Sequence, residues 1–311
     1  MMKNLFCAAI MVVFSAFGWA QADAPIIGRW DLTMEKEGVS LPSWLEVRLS
    51  GSKTLVGAYV GEVGSARPVA QFSYQDNTLN FSVPPQWVGN QDLEFTARYE
   101  NDELVGEIIH NNGTKWLVRG VRAPLMIRET PKSWTAPAPI FNGVDLSGWV
   151  AQSGTDRNQW IVKDGILTSP KSGSNLMTEQ KFDDFKLHIE FRYPAGSNSG
   201  IYLRGRHEVQ VEDNYGKQPS STYFGGVYGF LTPNAMAALP AGSWQTYDIT
   251  LIGRRVTITA NGQTIICDQI IPGITGGALD SNEGLPGPIL LQGDHGPVEY
   301  RNITMSYPEY K

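Results

Sequence analysis

The stretch GIYLRGRHEVQVED, residues 200–213, alternates in the manner of a strand pair. Ile201, Leu203, Val209 and Val211 form an apolar row, while Tyr202, Arg204, Arg206, Glu208, Gln210 and Glu212 take the alternate positions. Such period-two alternation marks half-buried strands, with a turn near Gly205. A two-residue turn at Gly205-Arg206 would carry Arg204 to the side of His207, and so to that of Val209 and Val211 in the core. A three-residue loop, or a bend in one strand, keeps Tyr202, Arg204, Glu208, Gln210 and Glu212 together, and is preferred. FKLHIEFR at 185–192 repeats the pattern, with Phe185, Leu187, Ile189 and Phe191 on one face and Lys186, His188, Glu190 and Arg192 on the other. The two segments together would offer one polar sheet face lined with acids, bases and donors. Charges on such faces are usually just solvated. This one is rich in Arg, His, Gln and Tyr and poor in Lys, Thr and Ser, which favours a role for the group. His188 and His207 taken singly read as structural.

Strand patterns continue in both directions. Residues 26–121 alternate almost throughout, from GRWDLTM to KWLVRGVR, with Gly, Asn, Asp or Pro between segments, and predict a small antiparallel barrel or sandwich over 25–123. GRWDLT resembles the first strand of lipocalin-type barrels. No cluster of His, Cys or paired acids occurs there, so a structural or carbohydrate-contacting accessory unit is expected. Residues 124–139, PLMIRETPKSWTAPAP, hold four prolines and predict an extended linker rather than a helix or ladder strand. From 140 to 311 the chain again reads as strands, with VTITANGQTIIC carrying a hairpin signal at Asn-Gly and PNAMAAL at 233–239 offering one short helical turn. The predicted class is all-β, a two-layer sandwich or jelly roll following a smaller β unit.

Lys3, the apolar run LFCAAIMVVFSAFGWA and the small residues after it predict an export signal over 1–22, with a periplasmic or extracellular location and no membrane span once it is removed. Beyond it stands one cysteine, Cys267, expected to be a small buried apolar residue. The net charge of −6 and the lack of a basic run argue against nucleic acid as partner. A neutral ligand such as a sugar fits better.

FNGVDLSGW (141–149), QWIVKDGIL (159–167), FDDFKLHIEFR (182–192), NSGIYLRG (198–205), HEVQVED (207–213), PAGSWQTYDI (240–249) and PGPILLQGDHGPVEYRNI (286–303) resemble, in order and spacing, the 3-keto-disaccharide hydrolase domain family. The resemblance covers about residues 139–307 and implies a concanavalin A-like jelly roll whose concave face holds the sugar. It also implies exported enzymes acting on glycosides already oxidised at C3. A C3 ketone acidifies the C2 hydrogen, so a base can remove it, the C1 substituent can leave, and water can add to the resulting enone. Direct hydrolysis by two carboxylates is the alternative chemistry. Glu190, Glu208 and Glu212 are the candidate base and acid, and Arg204 and His295 are candidates for the keto oxygen or the proton shuttle. Tyr202, Tyr223 and Tyr228 are candidate sugar-stacking residues, with Gln210 and Gln292 as further substrate contacts. A divalent cation is a candidate cofactor, with Asp294-His295 beside Glu208 and Glu212 as its place, although no HxH or HExxH spacing is present. Trp149 and Trp160 read as core. A carbohydrate-binding protein without catalysis is the rival function, and a purely structural surface protein the third.

Overall fold

The computed structural model describes residues 24–87 and 89–309; the expected export signal at 1–22 lies outside them. Nine strands between Gly28 and Arg122 form one antiparallel sheet, in which Gly28–Lys36 pairs with both Val39–Ser50 and Lys115–Arg122. Its two edge strands, Arg67–Val69 and Ser73–Gln75, are separated by only three residues of chain, so the sheet curls until its edges meet. Phe72 N donates to Leu55 O at that seam (3.0 Å), and the rings of Phe72 and Tyr59 lie 5.1 and 5.6 Å from Phe81. Alternate residues such as Trp30, Leu32, Leu79 and Phe95 point inward and are buried, so side chains fill this barrel-like unit.

The proline-rich segment is extended, as proline's fixed φ dictates. It is nonetheless tied down: Ser133–Trp134 pairs with Pro308–Glu309, and Ala138–Pro139 with Met305 and Thr304. Both pairings are two residues long, a length at which proline's missing donor costs little.

The remaining chain builds two facing antiparallel sheets of eight and five strands. Phe185–Arg192 lies in the larger sheet, paired with Gln245–Ile252 and Val298–Ser306; Asn198–Leu203 and His207–Glu212 form a hairpin in the smaller one. The apolar rows of both segments enter one core, with Leu187, Ile189 and Phe191 against Ile201, Val209 and Val211. Two hydrogen bonds cross this core, Tyr247 Oη to Gln210 O (2.7 Å) and Ser199 Oγ with Tyr300 Oη (2.8 Å). Trp149 and Trp160 are buried at its margin, as expected, with their indole N–H groups donating to Ile140 O and Ser174 O. Asn261 and Gly262, at φ 50° and 80°, make the two-residue hairpin turn between Ala260 and Gln263.

Two expectations fail. PNAMAAL is not helical, because its backbone donors go elsewhere, Asn234 N to Ile265 O and Leu239 N to Gln245 Oε1. Cys267 is exposed: the register shifts between Val256 and Thr259 disturb the alternation of Gln263–Ile270, so Ile265 and Ile266 are both buried and Cys267 faces out.

The barrel and the sandwich are packed together. Trp44 of the barrel is fully buried, its ring 5.2 Å from Phe230, and a side chain at Gly273 would collide with its indole. Gly277 N donates to Glu62 O (2.8 Å), while a Cβ at Gly276 would strike Gly64 O. Deeper in, Arg254 grips Glu283 through both carboxylate oxygens (2.5 and 2.6 Å), with the carboxyl of Asp31 from the barrel close to Glu283. Burial, and the proximity of the other carboxyl, raises Asp31 well above the ordinary carboxylate range.

Candidate functional site

The hairpin register sets Tyr202 opposite Glu208, Gly200 opposite Gln210 and Asn198 opposite Glu212. The loop between the strands is the three residues Arg204, Gly205 and Arg206, which keeps Tyr202, Glu208, Gln210 and Glu212 on the face away from the core. That face is roofed over. Segment 225–228 runs along the free edge of His207–Glu212, with Gln210 N donating to Gly226 O, Gly225 N to Gln210 O and Tyr228 N to Glu208 O. The loop around Thr275 holds Glu208 from the other end, Glu208 N donating to Thr275 Oγ1 (3.0 Å). The result is a pocket of about 1,210 Å³ including its mouth, in which Tyr202, Glu208, Gln210, Glu212, Tyr223, Tyr228, Gln292 and His295 all take part in the lining.

Glu208 is the most perturbed acid of this pocket. It is 4% exposed, and its side chain leans across the sheet so closely over Gly200 that a Cβ there would collide with its Oε1. Desolvation drives its pKa up to about 8; the Tyr202 hydroxyl and His295 oppose the rise, while Asp294 and Glu212 add to it. Tyr202 Oη is itself placed by Gly276 O at 3.1 Å. His295 Nδ1 bonds Asp294 Oδ1 at 2.6 Å, and this contact, with the further pull of Glu208, raises the imidazole above its ordinary value despite partial burial. The pocket therefore pairs a carboxyl of unusually high basicity with an imidazole whose proton is held more tightly than usual. Asn198 Oδ1 and Gln292 Oε1 are buried there without a hydrogen-bond partner among the described residues.

Two candidates are corrected. Glu190 lies on the far side of the molecule, because its strand belongs to the other sheet and the apolar rows face each other; its carboxylate takes Arg301 Nε and Asn302 Nδ2 (both 2.7 Å), and Arg301 stacks on Trp244. The single polar face expected for the two segments is thus two faces, back to back. Arg204 is fully buried and turned away from the pocket. As the first loop residue it adopts φ 52°, which breaks the strand alternation, and its guanidinium meets Gly253 O (2.7 Å) and Asp183 (3.5 Å). Without it, no arginine or lysine among the described residues lines the pocket. His188 and His207 are structural, bonded to Asp248 Oδ1 (2.7 Å) and Gly273 O (3.2 Å) respectively.

Asp294, Glu208 and Glu212 share the pocket with His295, yet among the described residues no three His, Cys, Asp or Glu side chains converge closely enough to hold a metal ion. No helix among those residues is long and apolar enough to cross a membrane. The sequence reading missed Asn198, whose polarity is unremarkable in a strand, and the wall that the barrel supplies through Val63, Gly64 and Trp87.

Residues 136–306, more than half of the chain, match the family model described as 3-keto-alpha-glucoside-1,2-lyase-like domain. A 3-keto-disaccharide hydrolase of Bacteroides thetaiotaomicron is 32% identical over 88 residues, 25% of this chain and 30% of that protein, so the match spans less than a third of the relative's length. Among solved structures, a Parabacteroides distasonis protein assigned provisionally as a glycosyl hydrolase superposes with a TM-score of 0.47 at 29% identity, over 58% of this chain and 92% of its own. The carbohydrate-binding module CBM66 of Bacillus subtilis superposes with a TM-score of 0.37 at 12% identity, over 51% and 96%. The match over residues 136–306, which span the sandwich, places this chain in the 3-keto-alpha-glucoside-1,2-lyase-like domain family.

Proposed function

We propose that the protein is an exported enzyme that cleaves 3-keto-glycosides by elimination across C1 and C2, followed by addition of water. The buried Glu208 carboxyl, raised to about 8, carries this reading. A carboxylate removes a proton beside a ketone more readily as its basicity rises, and a pKa of about 8 strengthens Glu208 while leaving about a tenth of it ionised at pH 7. Ionised Glu208 takes the C2 proton, and the C–H electrons form the C2–C3 enediolate with its charge on the C3 oxygen. The enediolate then collapses to the C1–C2 enone as the C1–O bond breaks, and protonated His295, oriented by Asp294, gives its proton to the leaving oxygen. Water adds at C1 and a proton returns to C2.

With Arg204 absent from the pocket, the oxyanion donors are the amides of Asn198, Gln210 and Gln292 and the hydroxyls of Tyr223 and Tyr228. Three carboxyls in the lining disfavour an anionic substrate, which suits a neutral sugar. Direct hydrolysis by Glu208 and Glu212 is the second reading, favoured by their position on one side of the pocket. The test is incubation with a panel of 3-keto-disaccharides, with products resolved as enone or hydrated sugar. Release of the aglycone from the keto forms and not from the plain glycosides supports the proposal. Tight binding of plain glycosides with no release from any keto form would instead establish a sugar-binding protein.

A further inference from the structure

The barrel carries a second recess, about 710 Å³ with its mouth, lined among others by Glu62, Arg67, Gln86, His110 and Asn112. Val63 and Trp87 line both this recess and the Glu208 pocket, so the two are neighbours at the domain junction, with these residues between them. Trp87 stands at the junction with 68% of its surface exposed, a large apolar ring left facing solvent between two polar recesses.

Its position is tied to the chemistry of the neighbouring pocket. Gly64 sits at φ 88°, and a Cβ there would press on Gln86 Oε1 and Trp87 Nε1, so only glycine lets the indole lie this close. The other side of Gly64 packs on Gly276, whose carbonyl receives the Tyr202 hydroxyl beside Glu208. Gln86 is held by Ser65 Oγ (3.1 Å), and Glu62 by His110 Nδ1 (3.7 Å) and by the bond from Gly277 N to its carbonyl. Arg67 has no ion pair among the described residues.

We propose that the barrel recess is the binding site for the leaving group, specifically a second sugar ring that stacks on Trp87 while its hydroxyls meet Arg67, Gln86 and Asn112. The barrel thereby selects disaccharides over glycosides with a small aglycone. This rests on the proposed function for the identity of the reacting ring, but the recess can be tested by binding alone. Calorimetry compares a glucosyl disaccharide with methyl glucoside, each as the plain and the 3-keto sugar, on the full protein, on Trp87→Ala and on Arg67→Ala. The wild type should bind the disaccharide at least ~10-fold more tightly than the methyl glycoside, a difference of about 1.4 kcal/mol. Trp87→Ala should erase that preference, and Arg67→Ala, which lines the barrel recess and not the Glu208 pocket, should weaken disaccharide binding while leaving methyl 3-keto-glucoside affinity within twofold. Equal weakening of both ligands, an unaltered preference, or no preference in the wild type overturns the inference. A preference that vanishes in Trp87→Ala, combined with no cleavage of any keto sugar, leaves the recess standing and defeats the proposed function instead.

Discussion

Phe185–Arg192 and the hairpin strand His207–Glu212 are near twins in sequence, each alternating an apolar row with acids and bases, yet they end in opposite chemical environments. In the first, Glu190 is partly open to solvent and answered at once by Arg301 and Asn302, which hold it below the ordinary carboxylate value. In the second, Glu208 is enclosed by segment 225–228 along the strand edge, by the loop around Thr275 and by the barrel, and no arginine or lysine among the described residues lines its pocket. Alternation places a carboxylate on a face, whereas the cover over that face decides whether it remains an ordinary surface charge or becomes a base. A mobile pair of charges at the surface contributes little; a lone buried carboxyl is forced to keep its proton.

Substitution of the two glutamates should separate these environments sharply. Glu208→Gln keeps the shape and the neutral form of the side chain but cannot ionise, so turnover of a 3-keto-glycoside should fall at least ~100-fold, the lower bound for losing a general base. The same variant should be more stable than wild type at alkaline pH. The folded pKa of Glu208, about 8, exceeds its ordinary 4.5, so the folded state binds the extra proton between those values and wild-type stability falls as pH rises through that window. Gln has no proton to lose, so urea unfolding at pH 9 should show a gain of up to a few kcal/mol relative to wild type. A loss of activity accompanied by a loss of stability would mean that Glu208 serves packing instead.

His295→Ala should cost about 100-fold in aglycone release while leaving exchange of the substrate C2 hydrogen with solvent intact, since the base remains. If exchange disappears as well, the roles assigned to the two residues are wrong. The pH profile sharpens the same point. Cleavage needs Glu208 ionised and His295 protonated, so kcat/KM should rise from acid pH, pass through a maximum and fall on the alkaline side, with both limbs belonging to the interacting pair. In His295→Ala the alkaline fall should vanish, and the residual rate should go on rising past about pH 8, because losing the imidazole removes a charge that holds the Glu208 pKa down. At the other end of the scale, Glu190→Gln should change turnover by less than about twofold, because its carboxylate lies on the opposite side of the sandwich. A large loss there would mean that the outer face takes part in function.

Much of this was legible in the residues. The apolar parity of 200–213 required Tyr202, Glu208, Gln210 and Glu212 to share a side, and the Asn-Gly dipeptide fixed a turn. Arg204 was not legible, since a loop residue with positive φ obeys no strand parity and its direction is set by Asp183 and Gly253 far along the chain. Glu190 was misplaced because periodicity defines faces but not which sheet a strand joins. The burial of Glu208 depends on segments 20 to 70 residues away, and on a barrel whose contact surface, Trp44, Glu62 and Gly64, carries no local signature.

The central claim is that ionised Glu208 removes the C2 hydrogen of the sugar, and the most direct test is cleavage of a 3-keto-disaccharide in D2O with the isotope at C2 of the product read by mass spectrometry and NMR. Elimination followed by hydration predicts one deuterium at C2 for each bond cleaved, and incorporation should fall together with turnover in Glu208→Gln. Full cleavage with the C2 hydrogen retained would contradict the account and favour direct hydrolysis by Glu208 and Glu212.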